Sequence, residues 1–599
     1  MRTLTLPLIR TFALYAIAAT CLLTGASAAL AANADAIWFG GPIITINDKS
    51  PSAEAVAVKD GRIVAVGSRK AVFASQKGAA TRLIDLKGHT LLPGFVDAHS
   101  HMTGVGLQAV AANLLSPPDG PVKSIPELQR VLREYIAATP KVREWGVVMG
   151  MNYDDSQLAE QRNPTRQELD AVATDIPIVI VHQSGHLAVM NSAGLAKAGI
   201  TADTKNPDGG VIRREADGRT PSGVLEEIAH FSNTPKLLPN VTAAQGLALI
   251  EAGQNIYVAN GFTTAQEGRA SAGVTGALRA AANAGKLKID VVDYSDLAGT
   301  KDQIRTEDSF EALADPNPEA KTDPKAIEIS RQYSNHFRVG AVKLTFDGSP
   351  QGRTAWFTKP YYKVPEGQKP DYKGYPAFPN EADAQGYVDM AYKNNWQLAV
   401  HANGDAAIDQ MIRTLDSAQK KYGAGDRRPV LIHGQYLRAD QIPQLKRLGI
   451  IPSLYPMHTF YWGDWHRQTV AGPERAEFIS PVGSVLRAGM KFTIHSDAPV
   501  TFPNSMRILD SAVNRTTRTG YVLGPKERLS PMEALHAMTI WPAYQYFEEA
   551  SKGSLEVGKR ADLVVLSGNP LTVPPATLKD LKVLETIKDG RTVFAADAR

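Results

Sequence analysis

Two histidines that lie two residues apart follow a short apolar run near the start of the chain. Residues 91–96 (LLPGFV) lead into the sequence DAHSH at positions 97–101. Alternate side chains of an extended strand point to the same face, so His99 and His101 are expected to converge on one point while Ser100 faces away. Two imidazoles held in this way form a ready pair of metal ligands.

The middle of the chain has the alternation that is typical of an α/β fold with parallel strands. Apolar runs alternate with helical stretches such as 244–260, 381–394 and 531–538. Eight runs are candidate barrel strands, which end near His99, Ala265, Tyr294, Phe346, His401, His433, Leu454 and Asp497. Eight strands are what a (β/α)8 TIM barrel requires. Additional runs at 145–151 and 176–181 do not fit this count, so we predict an insertion at about 105–255, after the first barrel strand.

Both ends of the chain carry short alternating β-runs separated by turn signals. The turns Asp60-Gly61-Arg62 and Asp589-Gly590-Arg591 resemble each other, and Asp-Gly pairs are typical of hairpin turns. We therefore predict that residues 33–90 and 550–599 form one composite β-sandwich domain beside a barrel at 91–549.

Residues 1–32 have the features of a secretory signal peptide. Arg2 and Arg10 precede an apolar stretch at 12–23 and a small-residue run at 26–32. We expect an exported protein, periplasmic or secreted, with no membrane attachment after signal removal; a retained anchor is the alternative, although the apolar stretch is short for a span. The single cysteine, Cys21, lies in this segment, so the mature chain would have neither a disulfide nor a thiolate nucleophile.

The bulk composition excludes some function classes. With 599 residues, of which 43% are hydrophobic, the chain can bury a large core. Lys and Arg number 65 against 61 Asp and Glu, a net charge of +4, which does not favour a nucleic-acid partner. We expect a small-molecule substrate, and a homo-oligomer is compatible with the sequence.

The candidate ligands fall at the predicted strand ends, where the catalytic residues of such barrels lie. Taken alone, His401 or His433 is more simply explained as a core histidine; together with His99, His101 and Asp497 they predict a metal site. Neutral imidazoles and a carboxylate suit a divalent ion, for which Zn2+ is the best single choice and Mn2+, Ni2+ or Fe2+ are alternatives.

Six short motifs in this order resemble the amidohydrolase superfamily, and within it the YtcJ-like metal-dependent hydrolases of amidohydrolase family 3. The motifs are LPGFVDAHSH at 92–101, VKL at 342–344, HANGD at 401–405, IHG at 432–434, HSD at 495–497 and GKRADLV at 558–564. The resemblance implies that His99, His101 and Asp497 hold one metal and that His401 and His433 hold a second. It also implies hydrolysis by a metal-bound hydroxide, with Asp497 as the proton carrier.

The resemblance places a bridging ligand at Lys343. A free lysine is a cation without a lone pair to offer a metal, so Lys343 would have to be carboxylated to a carbamate in order to bridge two ions. An ordinary lysine beside a single metal, or one that binds substrate, remains the alternative.

A second group of residues is predicted to contact the substrate. Its members are His186, Glu226, Arg353, His458 and Trp462, with His466 and Asp347 of similar standing. His182 and His186 are spaced as a metal pair, but Gly185 lies between them and we do not expect them to bind metal. The resemblance also implies that Asn191 lies near the substrate.

These observations predict a metal-dependent hydrolase that cleaves a carbon–nitrogen bond other than a peptide bond, in an amide, N-acyl, formamide or carbamate substrate. Two alternatives stay open. The same site would serve an esterase or lactonase, because an oxygen leaving group needs no change in the ligands. A barrel that has become a non-catalytic binding or regulatory protein is the second alternative, although the complete ligand set argues against it.

Overall fold

The computed structural model describes residues 33–239, 241–306, 326–365 and 367–596. The predicted signal peptide and Cys21 lie outside the described residues.

Eight parallel strands form a curled sheet in the same order as they occur along the chain. They are β1 (Phe95–Val96), β2 (Phe262–Ala270), β3 (Asp290–Asp296), β4 (Phe337–Thr345), β5 (Leu398–Ala402), β6 (Val430–His433), β7 (Ile451–Leu454) and β8 (Thr493–Ile494). Two short strands, Ile304–Thr306 and Ile327–Ile329, extend it beside β4. The Asp497 amide donates to the His99 carbonyl, so the loops after β8 and β1 are in contact. The eight strands are those predicted from the apolar runs.

Helices follow the strands and bury their apolar faces. Their bounds are Arg69–Gln76, Met102–Val110, Ile125–Ala138, Val142–Trp145, Arg166–Asp170, Ser192–Ala198, Ile228–Asn233, Ala243–Ala259, Ala272–Asn283, Leu297–Thr300, Glu381–Lys393, Asp405–Tyr422, Ile442–Leu448, Met457–Trp465, Gly472–Ala476, Val482–Arg487, Ser505–Asn514, Pro531–Met538 and Ile540–Gln545. In the described part of the chain, none of these helices combines the length and apolar character that a membrane crossing needs.

Local capping explains where the predicted helices begin. Ser530 precedes the helix at 531–538, and its hydroxyl accepts from the Glu533 amide while the Glu533 carboxylate accepts from the Ser530 amide. This reciprocal capping satisfies two amides that the first helical turn leaves unpaired. Thr242 and Gln245 form the same capping box at 243–259.

The insertion contains its own sheet of six strands. They are Ala112–Asn113, Val148–Tyr153, Ile178–His182, Leu187–Met190, Gly210–Arg214 and Pro221–Glu227. The helix at 243–259 packs against the helix at 102–110, which follows β1. Along the chain, the strands of the inserted sheet thus fall between two helices that pack against each other. The excess of apolar runs at about 105–255 was the basis for predicting an insertion there.

The two chain ends share one sheet of eight strands. They are Ala36–Ile44, Ser52–Lys59, Arg62–Gly67, Arg82–Asp85, Thr90–Pro93, Leu563–Leu566, Val583–Lys588 and Arg591–Ala595. The strand Thr90–Pro93 pairs with Leu563–Leu566 and so joins the two ends. The arrangement of this sheet as a sandwich domain with the stated boundaries stays a prediction.

Candidate metal centre

A cavity of about 440 Å3 opens at the carboxyl ends of the parallel strands. All six side chains predicted as metal ligands line it: His99, His101, Lys343, His401, His433 and Asp497. They come from the ends of β1, β4, β5, β6 and β8 or from the residues just after them. Parallel strands bring these ends to the same edge, which explains why residues so distant along the chain meet there.

The first group of ligand atoms lies around Asp497. Nε2 of His99 and Nε2 of His101 are each 3.5 Å from Asp497 Oδ1. Two ligand atoms that are each about 2 Å from the same tetrahedral zinc ion lie roughly 3.3 Å from each other. These three side chains therefore fit one ion.

The second group lies on β5 and β6. Nδ1 of His401 is 3.0 Å from Nε2 of His433, which is itself 3.8 Å from Asp497 Oδ2. Lys343 Nζ lies 3.3 Å from His99 Nε2. Lys343 thus lies beside the first group. Asp497, a member of that group, is close to His433, and His433 is close to His401.

In two of the histidines, the ring nitrogen that faces away from the centre has its own partner. Gln266 Oε1 lies 2.6 Å from His99 Nδ1, and the Gly348 carbonyl lies 3.2 Å from His401 Nε2. Contact with an acceptor oxygen favours the tautomer whose opposite nitrogen has a free lone pair, as metal-ligating histidines require; Asn403 Nδ2 also lies 3.2 Å from His401 Nε2.

The electrostatics of the site also suit a cation. Burial lowers the pKa of His99, His401 and His433 well below the usual value for histidine, so these rings are neutral at neutral pH. Among the described residues, Asp497 Oδ1 and His433 Nδ1 are buried without a hydrogen-bond partner. Unpaired buried polar atoms are costly, and a bound ion would satisfy the carboxylate oxygen.

Two of the ligand-type residues have an unusual backbone. His433 has φ 72° and Asp497 has φ 54°, in the left-handed region that non-glycine residues rarely adopt. Strain of this kind persists where the surrounding structure imposes it, and it is concentrated at functional sites.

Sequence reasoning missed His495, which lies two residues before Asp497. Its ligand atom groups with those of His433 and Asp497 within 4.8 Å, and burial lowers its pKa to about 4. Neither ring nitrogen meets the geometry of a hydrogen bond within the described part of the chain, although the Ser453 backbone is nearby. The alternation of strand side chains, which was used for His99 and His101, was the signal that could have found it.

The inserted sheet supplies one wall of the cavity. His182 and His186 both line it. His182 Nδ1 lies 2.8 Å from Ser184 Oγ and its Nε2 lies 3.0 Å from Asp155 Oδ1, so both nitrogens are engaged. Although burial opposes the charged ring, Asp154 and Asp155 raise the pKa of His182 to about 9. The ligand atoms of His182, Asp154 and Asp155 lie within 4.8 Å of one another, so the absence of a metal at His182 stays a prediction.

Four residues predicted to contact substrate lie outside the cavity wall. The Glu226 carboxylate pairs with Arg213 and accepts from Tyr375, while Arg353 Nη2 lies 3.5 Å from Asp155. His458 Nδ1 lies 3.0 Å from His466 Nε2, and the Trp462 indole donates to Asp154. Their side chains make contacts within the protein, so their contact with substrate stays a prediction.

Two further predicted residues act as local supports. Asn191 caps the helix at 192–198 and is fully buried, with its Oδ1 accepting from the Ile178 and Gly194 amides. Asp347 accepts three backbone N–H groups, from Trp356, Asn403 and Gly404. The side chain of Asn191 is used within the inserted unit and does not line the cavity, so its expected position near the substrate stays a prediction.

Several known proteins resemble this chain in sequence. The model of the Amidohydrolase family matches residues 82–594. The N-substituted formamide deformylase of Arthrobacter pascens is 29% identical over 91% of this chain and 96% of its own. A Bacillus subtilis protein named as an amidohydrolase, YtcJ, is 28% identical over 93% of this chain and 99% of its own. The exoenzymes regulatory protein AepA of Pectobacterium carotovorum is 28% identical over 65% of this chain and 77% of its own.

A solved structure shares the fold. An uncharacterised metal-dependent hydrolase from Pyrococcus horikoshii OT3 superimposes with a TM-score of 0.66 at 22% identity, covering 90% of this chain and 99% of the other. The family model extends over most of the chain, from the strands before β1 to the last strand of the shared sheet. The chain belongs to the amidohydrolase family.

Proposed function

We propose that this protein is an exported metal-dependent hydrolase that cleaves a carbon–nitrogen bond other than a peptide bond, in a small amide, N-acyl, formamide or carbamate substrate. The observation that carries the proposal is the convergence of His99, His101, His401, His433 and Asp497 on one cavity with Lys343 among them. The likeness to a formamide deformylase over nearly the whole chain supports the bond type.

The donor set fits one or two divalent ions, for which Zn2+ is our choice. When bound, the metal supplies a water of lowered pKa and polarises the substrate carbonyl. Asp497 would hold the proton of the attacking water and pass it to the leaving nitrogen, because its carboxylate faces both groups of histidines. The cavity, of about 440 Å3, has room for a small molecule.

Lys343 is suited to carboxylation. Burial lowers its pKa to about 7, so that much of the amine is neutral at neutral pH. The Nζ lone pair would form an N–C bond with CO2 and release a proton, which gives an anionic carbamate. The carbamate would offer two anionic oxygens beside His99 and would serve as the bridging ligand if two ions bind.

Two other functions remain to be distinguished from this one. An esterase or lactonase would use the same residues with an oxygen leaving group. A binding or regulatory protein is the second, and the name of the AepA relative is the observation that favours it. Catalytic turnover distinguishes either hydrolase from a binding protein. Release of an amine or of an alcohol distinguishes the amidohydrolase from the esterase or lactonase.

The deciding experiment uses the purified mature protein. Metal content is measured by inductively coupled plasma mass spectrometry, and a panel of formamides, N-acyl amines, carbamates and esters is assayed for released amine or alcohol. We expect one or two equivalents of zinc and release of amine, both strongly reduced in Asp497→Ala. Asp175→Asn, at an exposed ion pair with Arg143, is the matched control. A chain without bound metal and without turnover would refute the proposal in favour of a binding protein.

The site of cleavage of the export signal is tested separately. We expect N-terminal sequencing of the secreted or periplasmic form to begin near Ala32 or Asn33. An intact Met1 form recovered from the cytoplasm would contradict export.

A further inference from the structure

A histidine and a glutamate from the inserted sheet form a hydrogen-bonded pair at the cavity wall. His186 Nδ1 lies 2.7 Å from Glu227 Oε2, and the two side chains are 12% and 6% exposed. The His186 ring lies 4.9 Å from the His401 ring, measured between centroids. His186 therefore lies beside the metal site in the wall of the cavity, with Glu227 behind it.

The chemistry of the pair decides which nitrogen of His186 carries the hydrogen. An ionised carboxylate can only accept a hydrogen bond, so Nδ1 of His186 carries the hydrogen. In the neutral tautomer that this contact selects, Nε2 carries the lone pair, and His186 lines the cavity. Nε2 is then the nitrogen that can accept a hydrogen bond from a substrate, at the edge of a cavity large enough for one.

Several features hold Glu227 in this position. Its backbone has φ 48° and ψ −122°, which is rare for a residue with a side chain, and its amide donates to the His186 carbonyl at 2.8 Å. A Cβ at position 348 would lie 2.2 Å from Glu227 Oε1, so Gly348 leaves the room that the carboxylate needs. The neighbouring Glu226 points elsewhere, toward Arg213 and Tyr375.

We infer that Glu227 is a positioning residue which holds His186 so that Nε2 accepts the N–H of a secondary amide substrate. The inference rests on the proposed function and deepens it, because it names the substrate class as N-monosubstituted amides. A tertiary amide or an ester has no N–H to donate, and it would leave Nε2 buried and unpaired beneath the bound substrate. Sites built around such a hydrogen bond discriminate strongly against analogues that lack it.

The test compares a secondary formamide with its N-methyl counterpart, by kcat/KM and by binding measured calorimetrically. We expect wild-type protein to prefer the secondary amide by about tenfold or more. His186→Asn and Glu227→Met should reduce this ratio toward one, with metal content unchanged. Glu227→Gln should retain most of the preference, because its amide oxygen can still accept from Nδ1.

Glu226→Gln is the matched control, since it changes the adjacent carboxylate, which lies outside the cavity; it should leave the ratio unchanged. A structural role for Glu227 would lower stability or metal content in Glu227→Met without altering the preference. Equal cleavage of secondary and tertiary amides by wild-type protein would overturn the inference while leaving the proposed hydrolase intact. Failure to cleave or bind any amide would overturn both.

Discussion

Two buried polar clusters occupy opposite ends of the same parallel strands, and they differ in how well their atoms are paired. The cavity cluster consists of His99, Lys343, His401, His433 and Asp497 at the carboxyl ends. The basal ion network consists of Asp290, Arg338, Glu548, Lys552 and Lys588, and it lies where β3 and β4 begin.

In the basal ion network, each charge has an opposite partner at short range. Asp290 Oδ2 lies 2.6 Å from Lys552 Nζ and 2.7 Å from Lys588 Nζ. Glu548 lies 2.6 Å from Lys552 and 2.7 Å from Arg338. Although burial opposes charge, the two lysines hold the pKa of Asp290 well below its usual range. The network joins a barrel strand to the shared sheet, because Lys588 ends the strand Val583–Lys588.

The cavity cluster lacks this balance. It brings together neutral rings, a lysine whose pKa is lowered by burial, and a carboxylate oxygen without a hydrogen-bond donor in the described residues. A paired cluster contributes to the stability of the fold, whereas an unpaired one costs free energy until a ligand completes it. The difference explains why similar residue types are structural at one end of the strands and, as we propose, functional at the other.

The largest expected effect is at the cavity cluster. Asp497→Asn keeps the shape of the side chain but removes the charge and the proton acceptor, so kcat should fall by about 10²–10⁴-fold. Steady-state kinetics should show a much smaller change in KM, because the loss lies in the transition state. An equal loss in substrate binding with unchanged kcat would assign Asp497 to binding alone.

Removal of Lys343 tests the bridge within the same cluster. Lys343→Ala should lower metal content to about one ion or less per chain, because the shared anionic ligand is lost. Short carboxylic acids such as acetate or propionate should partly restore activity by supplying two oxygens. The control is Lys420→Ala, at an exposed pair with Asp416. Unchanged metal stoichiometry in Lys343→Ala would exclude the bridging role.

The basal ion network should respond in stability rather than in metal content. Lys552→Met leaves Asp290 and Glu548 short of a partner, and urea denaturation should show a loss of about 3–5 kcal/mol. Lys421→Met, at an exposed pair with Asp389, should change the unfolding free energy much less, because solvent screens the pair. A loss of metal from folded Lys552→Met protein would break the distinction between the two ends.

A pH-dependent effect is expected at His182, which is paired like the basal network although it lies beside the cavity. Its folded pKa of about 9 is above the ordinary value of 6.5, so its contribution to stability is fully present below pH 6.5 and is lost as the pH rises toward 9. In metal-free protein, the unfolding free energy should fall over this window by up to about 1.4 kcal/mol per pH unit. His182→Gln should lack this slope, and His536→Gln should retain it.

Much of the site could be predicted because it depends on short-range patterns. Apolar runs marked the strands, and ligand-type residues after the runs marked the edge at which parallel strand ends meet. Arg353, His458 and Trp462 were assigned to the cavity on position in the loops alone. Loop side chains take their direction from distant contacts, such as those of Trp462 with Asp154 and of Arg353 with Asp155.

The sequence by itself determined the order of the strands and which side chains lie at their carboxyl ends. Both follow from apolar runs that alternate with helical stretches along the chain, and from the ligand-type residues that follow several of these runs. Only the tertiary structure decided which nitrogen of each histidine faces the centre, that His495 lies beneath it, and that Glu227 rather than Glu226 holds His186. These depend on contacts between segments far apart in the chain, which no local pattern encodes.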